Sequence, residues 1–168
     1  MDRDHLYALW TQAQEQPIAG WDFSRLDGRM ESGALPWDYR AIVLSRLKPD
    51  SRLLDMGTGG GEFLLGLGHP HRLTSVTEGF APNLALCRER LSPLGIEVKA
   101  VQEDNRLDFP AASFDLIINR HEDLSAPEVF RCLKPGGMFI TQQVGGGNNH
   151  DLAKQLIPGC APSFPDHT

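Results

Sequence analysis

The chain has 168 residues, with 22 acidic against 16 basic side chains and a net charge of −6. This size suits one domain with a single substantial core, and the acidic balance argues against a broad phosphate-binding surface, because nucleic-acid affinity rests largely on basic neutralisation. No apolar run approaches the roughly 20 residues of a membrane span, the start Met1-Asp2-Arg3-Asp4-His5 lacks a signal-peptide layout, and Cys87, Cys132 and Cys160 are scattered without CxxC spacing, which suggests neither a disulfide frame nor a zinc site and sets a reducing, cytoplasmic location as the expectation.

Leu6, Leu9, Trp10 and Ala13 recur at helical spacing and predict a helix over about residues 3–15. Trp21, Phe23 and Leu26 follow in a loop of mixed polarity that runs to Gly33. Pro36 stands where a first-turn proline belongs, and Tyr39, Ile42, Val43 and Leu47 fall on one face of a helix stopped by Lys48-Pro49-Asp50-Ser51. A first strand over residues 52–56 then enters Gly57-Thr58-Gly59-Gly60-Gly61, and a helix continues over about residues 61–67. Four glycines without Cβ atoms let a ligand approach the backbone, and the helix N-terminus offers unpaired N–H groups to an anion. The pattern points to a nucleotide-like cofactor at the carboxyl end of the first strand of an α/β sheet. A tight turn with no ligand is the bland alternative, and it is weakened by the conformational cost of each glycine. A dinucleotide fingerprint would need glycine at the sixth place from Gly57, where Glu62 stands instead. What is present is Asp55-x-Gly57-x-Gly59-x-Gly61.

His69 and His71 flank Pro70 in a solvated break, with no third ligand nearby to suggest a metal. Residues 73–77 form the second strand and Glu78 ends it, 21 residues after Gly57 and close to the roughly 20-residue offset at which a carboxylate reaches a ribose. One carboxylate can accept hydrogen bonds from both vicinal hydroxyls, whereas the bland reading is a surface glutamate at a strand end. Ala81-Pro82 opens a helix that buries Leu84, Cys87 and Leu91 and stops at Ser92-Pro93, which makes Cys87 a small core residue rather than a nucleophile. A third strand covers residues 96–101, and residues 114–118 form a fully buried fourth. Asn119-Arg120-His121-Glu122 then lies at the carboxyl end of that strand, where ligands of open α/β sheets collect. A short helix over 127–132, capped by Ser125, leads through the turn Leu133-Lys134-Pro135-Gly136-Gly137 into a fifth strand over 138–144. A glycine- and asparagine-rich loop, a short helix over 151–157 and a proline-rich end complete the chain.

Taken in order, the glycine motif, Glu78, the Phe114-Asp115 strand and the Leu133-Lys134-Pro135-Gly136-Gly137 turn resemble the class I S-adenosylmethionine-dependent methyltransferases, of the type 11 kind, over about residues 36–150. Asp108 departs from the proline common in that family's Leu-Pro-Phe pattern, and the Asn-Pro-Pro-Tyr motif of adenine amino methyltransferases is absent. The resemblance implies a Rossmann-like, doubly wound, mostly parallel sheet in the order 3-2-1-4-5. It implies three segments: residues 1–35 as a helical cap, 36–157 as the cofactor-binding core, and 158–168 as a truncated continuation. Tyr7, Trp10 and Trp21 form a lid in this scheme, or simply pack on the domain as aromatics of amphipathic helices do.

For the site, the resemblance implies that Asp55, Gly57, Thr58, Gly59 and Gly61 hold the methionine end of the cofactor, with the Asn119 carbonyl accepting from its ammonium. Glu78 and Gly79 meet the ribose, Phe80 the adenine face, Glu103 or Asp104 the adenine amino group, and the N–H near Asn105 adenine N1. The implied reaction is in-line transfer of a sulfonium methyl group to a small-molecule acceptor, leaving S-adenosylhomocysteine and working by positioning and exclusion of water. His121 is the best-placed base for an acceptor that must lose a proton; its bland reading is an uninvolved polar residue. No nucleic acid and no membrane is expected as partner. The family's two closing strands have no counterpart after residue 144, so the 138–144 edge is expected to self-associate and the chain to be a weak catalyst alone. A cofactor-binding module without catalysis and a nicotinamide-dependent oxidoreductase are the alternatives; the missing sixth glycine and the Leu-Lys-Pro-Gly-Gly turn count against the second. Fold and cofactor motif leave the acceptor undefined.

Overall fold

The structure, a computed structural model, describes residues 2–16, 20, 22–31, 33–101, 104–145, 147–157 and 159. In chain order its elements are α1 (Arg3–Glu15), α2 (Tyr39–Arg46), β1 (Leu53–Met56), α3 (Glu62–Gly66), β2 (Thr74–Glu78), α4 (Ala81–Arg90), β3 (Glu97–Ala100), β4 (Phe114–Arg120), α5 (Ala126–Cys132), β5 (Leu133–Gln142) and α6 (His150–Leu156). The strands form one sheet in the order β3-β2-β1-β4-β5, and every pairing is parallel. The order matches the expectation from sequence.

Side chains alternate across a strand, and both faces of this sheet are covered. Leu53, Val76, Leu116 and Ile118 pack on one face against Tyr39 and Val43 of α2, Leu64 of α3 and Cys87 of α4. Leu54, Met56 and Ile117 pack on the other against Leu107, Phe109 and the α5 residues Val129 and Cys132. β1 and β2 are buried at every position, which is why they read as unbroken runs rather than as polar–apolar alternation. Cys87 is fully buried and donates its thiol to the Gly59 carbonyl at 2.9 Å, which suits the core role expected for it.

Several local expectations are corrected. α2 begins at Tyr39, not near Pro36, because Asp38 caps it by accepting the Ala41 N–H at 3.0 Å. Ile42 is 41% exposed, so the buried side of α2 is Tyr39 and Val43 alone. Ser125 occupies the N-cap position of α5 but makes no side-chain cap bond. The turn expected over Leu133-Lys134-Pro135-Gly136-Gly137 lies inside β5 as a bulge. Leu133 pairs with Phe114 and Met138 with Leu116, so one β4 residue stands opposite four. Gly136 takes φ 78, and a Cβ on Gly137 would lie 3.1 Å from the Phe114 carbonyl oxygen. β5 ends at Gln142, leaving Val144 beyond it and 60% exposed.

α1 forms as predicted but buries nothing. Tyr7 and Trp10, 52% and 60% exposed, pack edge-to-face on each other with centroids 5.8 Å apart. Trp21 lies outside the described residues. The segment before the core does reach the glycine turn at Gly20, whose N–H donates to Asn83 Oδ1 at 2.7 Å. A Cβ on Gly20 would lie 3.3 Å from the Gly60 Cα. Among the described residues no helix is long and apolar enough to cross a membrane.

Tyr39 ties α2 to the sheet. Its hydroxyl lies 3.1 Å from the Asn119 carbonyl and 3.0 Å from that of Ile140, and it accepts the Asn119 N–H at 3.3 Å. Burial pushes its pKa up to about 12, which keeps the group a donor. Tyr39→Phe strips these buried carbonyls of their donor, and unfolding in urea is expected to show a loss of about 1–3 kcal/mol. Unchanged stability would show that the hydroxyl holds nothing.

Candidate functional site

The glycines of the turn after β1 are required by backbone geometry. Gly57, Gly59 and Gly61 have φ of 65°, 66° and 82°, the left-handed region that side chains disfavour. Gly61 is also crowded, since a Cβ there would lie 2.8 Å from Leu91 Cδ2. The turn is pinned to β2, with the N–H groups of Gly57 and Thr58 donating to the Thr77 carbonyl at 3.0 and 3.2 Å. Glu78 completes the anchor: Oε2 accepts the Gly59 N–H and Oε1 the Phe80 N–H, both at 2.8 Å. Glu78 is only 3% exposed, so these bonds satisfy a buried carboxylate. Each oxygen retains a second lone pair.

Asp55, in β1 beneath the turn, accepts the Thr58 hydroxyl at 2.7 Å. Burial pushes its pKa up to about 7; the Thr58 bond and Arg120 oppose the rise, and Glu78 adds to it. Arg120 lies with its guanidinium carbon 4.1 Å from the Phe63 ring centroid.

The opposite bank of the crevice is the end of β4, which pairs directly with β1 through Met56 and Asn119. Asn119 is fully buried. Its Oδ1 accepts from Gln143 Nε2 at 2.7 Å and its Nδ2 donates to the Glu122 carbonyl at 3.2 Å. Its own carbonyl faces the Tyr39 hydroxyl. His121 turns the chain with φ 62, and Gln142 Nε2 lies 3.3 Å from His121 Nε2. The Trp37 indole can only donate, and it donates to Gln142 Oε1 at 3.1 Å. That fixes the amide so that Gln142 donates to His121 Nε2, and the imidazole carries its proton on Nδ1. Burial, then Arg120, holds the His121 pKa below its ordinary value. The lone pair that would take a proton is therefore present but engaged by Gln142.

Glu122 stands in the sequence reading only as part of the segment after the fourth strand, with no role assigned to it. Its side chain lies on the bare face of Gly57, where a Cβ would come within 2.6 Å of Glu122 Cβ and 2.9 Å of Oε2. A Cβ on Gly79 would stand 3.5 Å from Glu122 Oε1. The signal available in sequence was its place just past the fourth strand, the strand expected beside the first. Burial, Glu78 and Asp123 raise its pKa.

The residues expected around an adenine lie toward the rim. Phe80 is 56% exposed. Asp104 Oδ1 accepts the Arg106 N–H at 3.1 Å, and Asn105, with φ 56, donates from Nδ2 to Asp123 Oδ2 at 2.8 Å. Glu103 lies outside the described residues. A cavity of about 660 Å³, lined by Arg46, Lys48, Asp115 and Lys134, opens at the other end of the strands and contains none of these groups. Glu122 covers the Cβ-less face of Gly57, and the carboxylates of Asp55, Glu78 and Glu122 gather at the carboxyl ends of β1, β2 and β4.

A model of a methyltransferase domain matches residues 54–141, just over half of the chain. The chain is 30% identical over 116 residues to a demethylmenaquinone methyltransferase of Thermus thermophilus, covering 63% of this chain and 53% of that protein. It is 25% identical over 128 residues to ribosomal RNA small subunit methyltransferase G of Chlorobaculum tepidum, covering 71% and 58%. The chain thus spans between half and three-fifths of the length of these curated relatives. Its fold is similar to that of a SAM-dependent methyltransferase from Aquifex aeolicus, with TM-score 0.52, 23% identity and coverage of 71% of this chain and 66% of that one. It is also similar to a structure of the Trm112 methyltransferase activator of Haloferax volcanii with its methyltransferase, at TM-score 0.55, 20% identity and coverage of 70% and 58%.

Glu78→Ala strips the buried N–H of Gly59 of its acceptor, and the variant is expected to be about 1–3 kcal/mol less stable in urea. Wild-type stability would mean the turn is held without it. Asp55 gives a pH signature. Its carboxyl titrates near 4 in an unfolded chain and at about 7 here, so between those values the folded protein holds the extra proton and stability falls as pH rises. Asp55→Asn removes that loss. The variant should exceed wild type by on the order of a few kcal/mol at pH 8, with the gap closing toward pH 4. A gap independent of pH would show that Asp55 titrates normally.

Proposed function

This chain belongs to the S-adenosylmethionine-dependent methyltransferases, and from that premise we propose that it transfers a methyl group from S-adenosylmethionine to a small-molecule acceptor. The observation that carries the proposal is the crevice between β1 and β4, where Gly57 faces Glu122 across the ends of the two strands. The chain leaves β1 toward β2 and β3, then returns to β4 on the other side of β1. Such a reversal opens a gap at the carboxyl ends of the strands, where ligands of this sheet type bind.

The cofactor supplies a methyl group made electrophilic by its positively charged sulfur. In this reading the turn residues Gly57, Thr58, Gly59 and Gly61, with Asp55, receive the methionine end. The carbonyl of Asn119 accepts from the ammonium. Glu78 uses its remaining lone pairs on the ribose hydroxyls beside Gly79. Phe80 and the 103–105 segment, through Glu103 or Asp104 and the Asn105 N–H, face the adenine. His121 stands at the acceptor side as the base, its ring oriented through Gln142 by Trp37. A proton-bearing acceptor takes over the bond that Gln142 makes to Nε2. The net charge of −6 supports a small acceptor over a polyanionic one. The two curated relatives are named for different acceptors, a demethylmenaquinone and a ribosomal RNA.

The test is direct. Calorimetry should detect S-adenosylmethionine binding to the wild-type chain. Gly59→Val forces a branched side chain into the left-handed backbone of φ 66. Its affinity should fall at least about tenfold, or 1.4 kcal/mol, with the far-ultraviolet dichroism retained. Labelled-methyl transfer into a metabolite panel then identifies the acceptor. Absence of wild-type binding, or full binding by the variant, would remove the proposal.

A further inference from the structure

Three carboxylates face the crevice, and the protein treats them differently. Asp55 has the Thr58 hydroxyl, and each oxygen of Glu78 has a backbone N–H. No described residue donates a hydrogen bond to the Glu122 carboxylate or forms an ion pair with it. Its main chain, by contrast, is held firmly: the Glu122 carbonyl accepts from Asn119 Nδ2 and from Gln143 Nε2, each at 3.2 Å. The backbone thus delivers a half-buried carboxylate to the floor formed by Gly57 and Gly79. Burial and the neighbouring charges of Glu78 and Asp123 disfavour its ionised form. A charge left without partners in such a place is unfavourable until something positive arrives.

We propose that Glu122 makes this crevice select a cationic cofactor over its neutral demethylated product, the carboxylate standing where the incoming ligand must either displace it or lie beside it. The inference rests on the proposed use of S-adenosylmethionine and names the residue that tells it from S-adenosylhomocysteine. The two molecules share adenine, ribose and amino acid. They differ in the methyl group and in the sulfur, a cationic sulfonium in one and a neutral sulfide in the other. Glu78 and the turn backbone can hold the shared parts, so they contribute nearly equally to both. A carboxylate close to the sulfur discriminates, because the sulfonium charge is present in one ligand and absent from the other, whereas the ammonium and carboxylate of the amino-acid part are common to both. The same selectivity favours exchange of product for fresh cofactor, since the attraction vanishes when the methyl group leaves.

The test is calorimetric titration of the wild-type chain and Glu122→Gln with S-adenosylmethionine and, separately, with S-adenosylhomocysteine. Gln keeps the shape and removes the charge. The expected result is a loss of about tenfold in affinity for the sulfonium ligand with a change of less than about twofold for the sulfide. The comparison is a ratio within one variant, so partial unfolding, which lowers both affinities together, does not imitate it. Equal losses for the two ligands, or no loss for either, would overturn the inference while leaving the cofactor assignment standing. Failure of the wild-type chain to bind either ligand would overturn both.

Discussion

The interior placement of the Glu78 carboxylate is the constraint on which the rest of this structure depends. A carboxylate taken out of water needs donors at both oxygens, and the chain meets that need with the N–H groups of Gly59 and Phe80. Gly59 can aim its N–H at Glu78 only because the turn runs through left-handed backbone at Gly57, Gly59 and Gly61. The same run of conformations hangs the turn on the Thr77 carbonyl and brings Thr58 onto Asp55. Loop and acidic residue are therefore joined in one hydrogen-bonded unit. Family resemblance points to Glu78 as a ligand contact, and the structure adds that it is first a structural contact.

The two ends of the sheet carry different work. At the amino end, Asp115 Oδ2 accepts the Arg52 N–H at 2.8 Å and meets Lys134 Nζ at 2.7 Å, so the starts of β1, β4 and β5 are clamped together. The Phe114-Asp115 pair that helped to mark the family serves this clamp and the core, with Phe114 packed edge-to-face on Phe109 at 4.9 Å. At the carboxyl end the strands release their chains into turns with uncommon backbone, at Gly57, Gly59 and His121. The acidic groups gather there, and Arg120, stacked on Phe63, is the cation that most tempers Asp55. A rigid base with a charged, strained rim suits a protein that must hold its ligand-facing groups in place before the ligand arrives.

The site also has layers of support that set what each group can do. Asn119 contributes its side chain to orienting Glu122 and Gln143, while its backbone is tied to Tyr39. Trp37 and Gln142 decide which ring nitrogen of His121 carries the proton. His121 and Glu122 are thus both placed through the end of β5, His121 by Gln142 backed by Trp37 and Glu122 by Gln143 together with Asn119.

Much of this was legible in the amino-acid order. Unbroken apolar runs at Leu53-Leu54 and Leu116-Ile117-Ile118 announce strands buried on both faces, because a parallel sheet covered by helices has no wet side. Glycine at every second place announces left-handed backbone, because no other residue adopts it repeatedly without strain. The offset of Glu78 from Gly57 is local, set by one helix and two turns, so spacing alone was sufficient to mark it. Tertiary structure decided what depends on pairing between distant segments. That Glu122 lies on Gly57 follows from β4 docking beside β1 in the register that sets Met56 opposite Asn119. That the Leu133–Gly137 segment is a bulge within β5 rather than a turn before it follows from how Phe114 and Leu116 find their partners. Local pattern encodes backbone conformation and the period of burial. Which side chain meets which across the sheet depends on register and on the volumes packed between, and these exist only once the chain has folded.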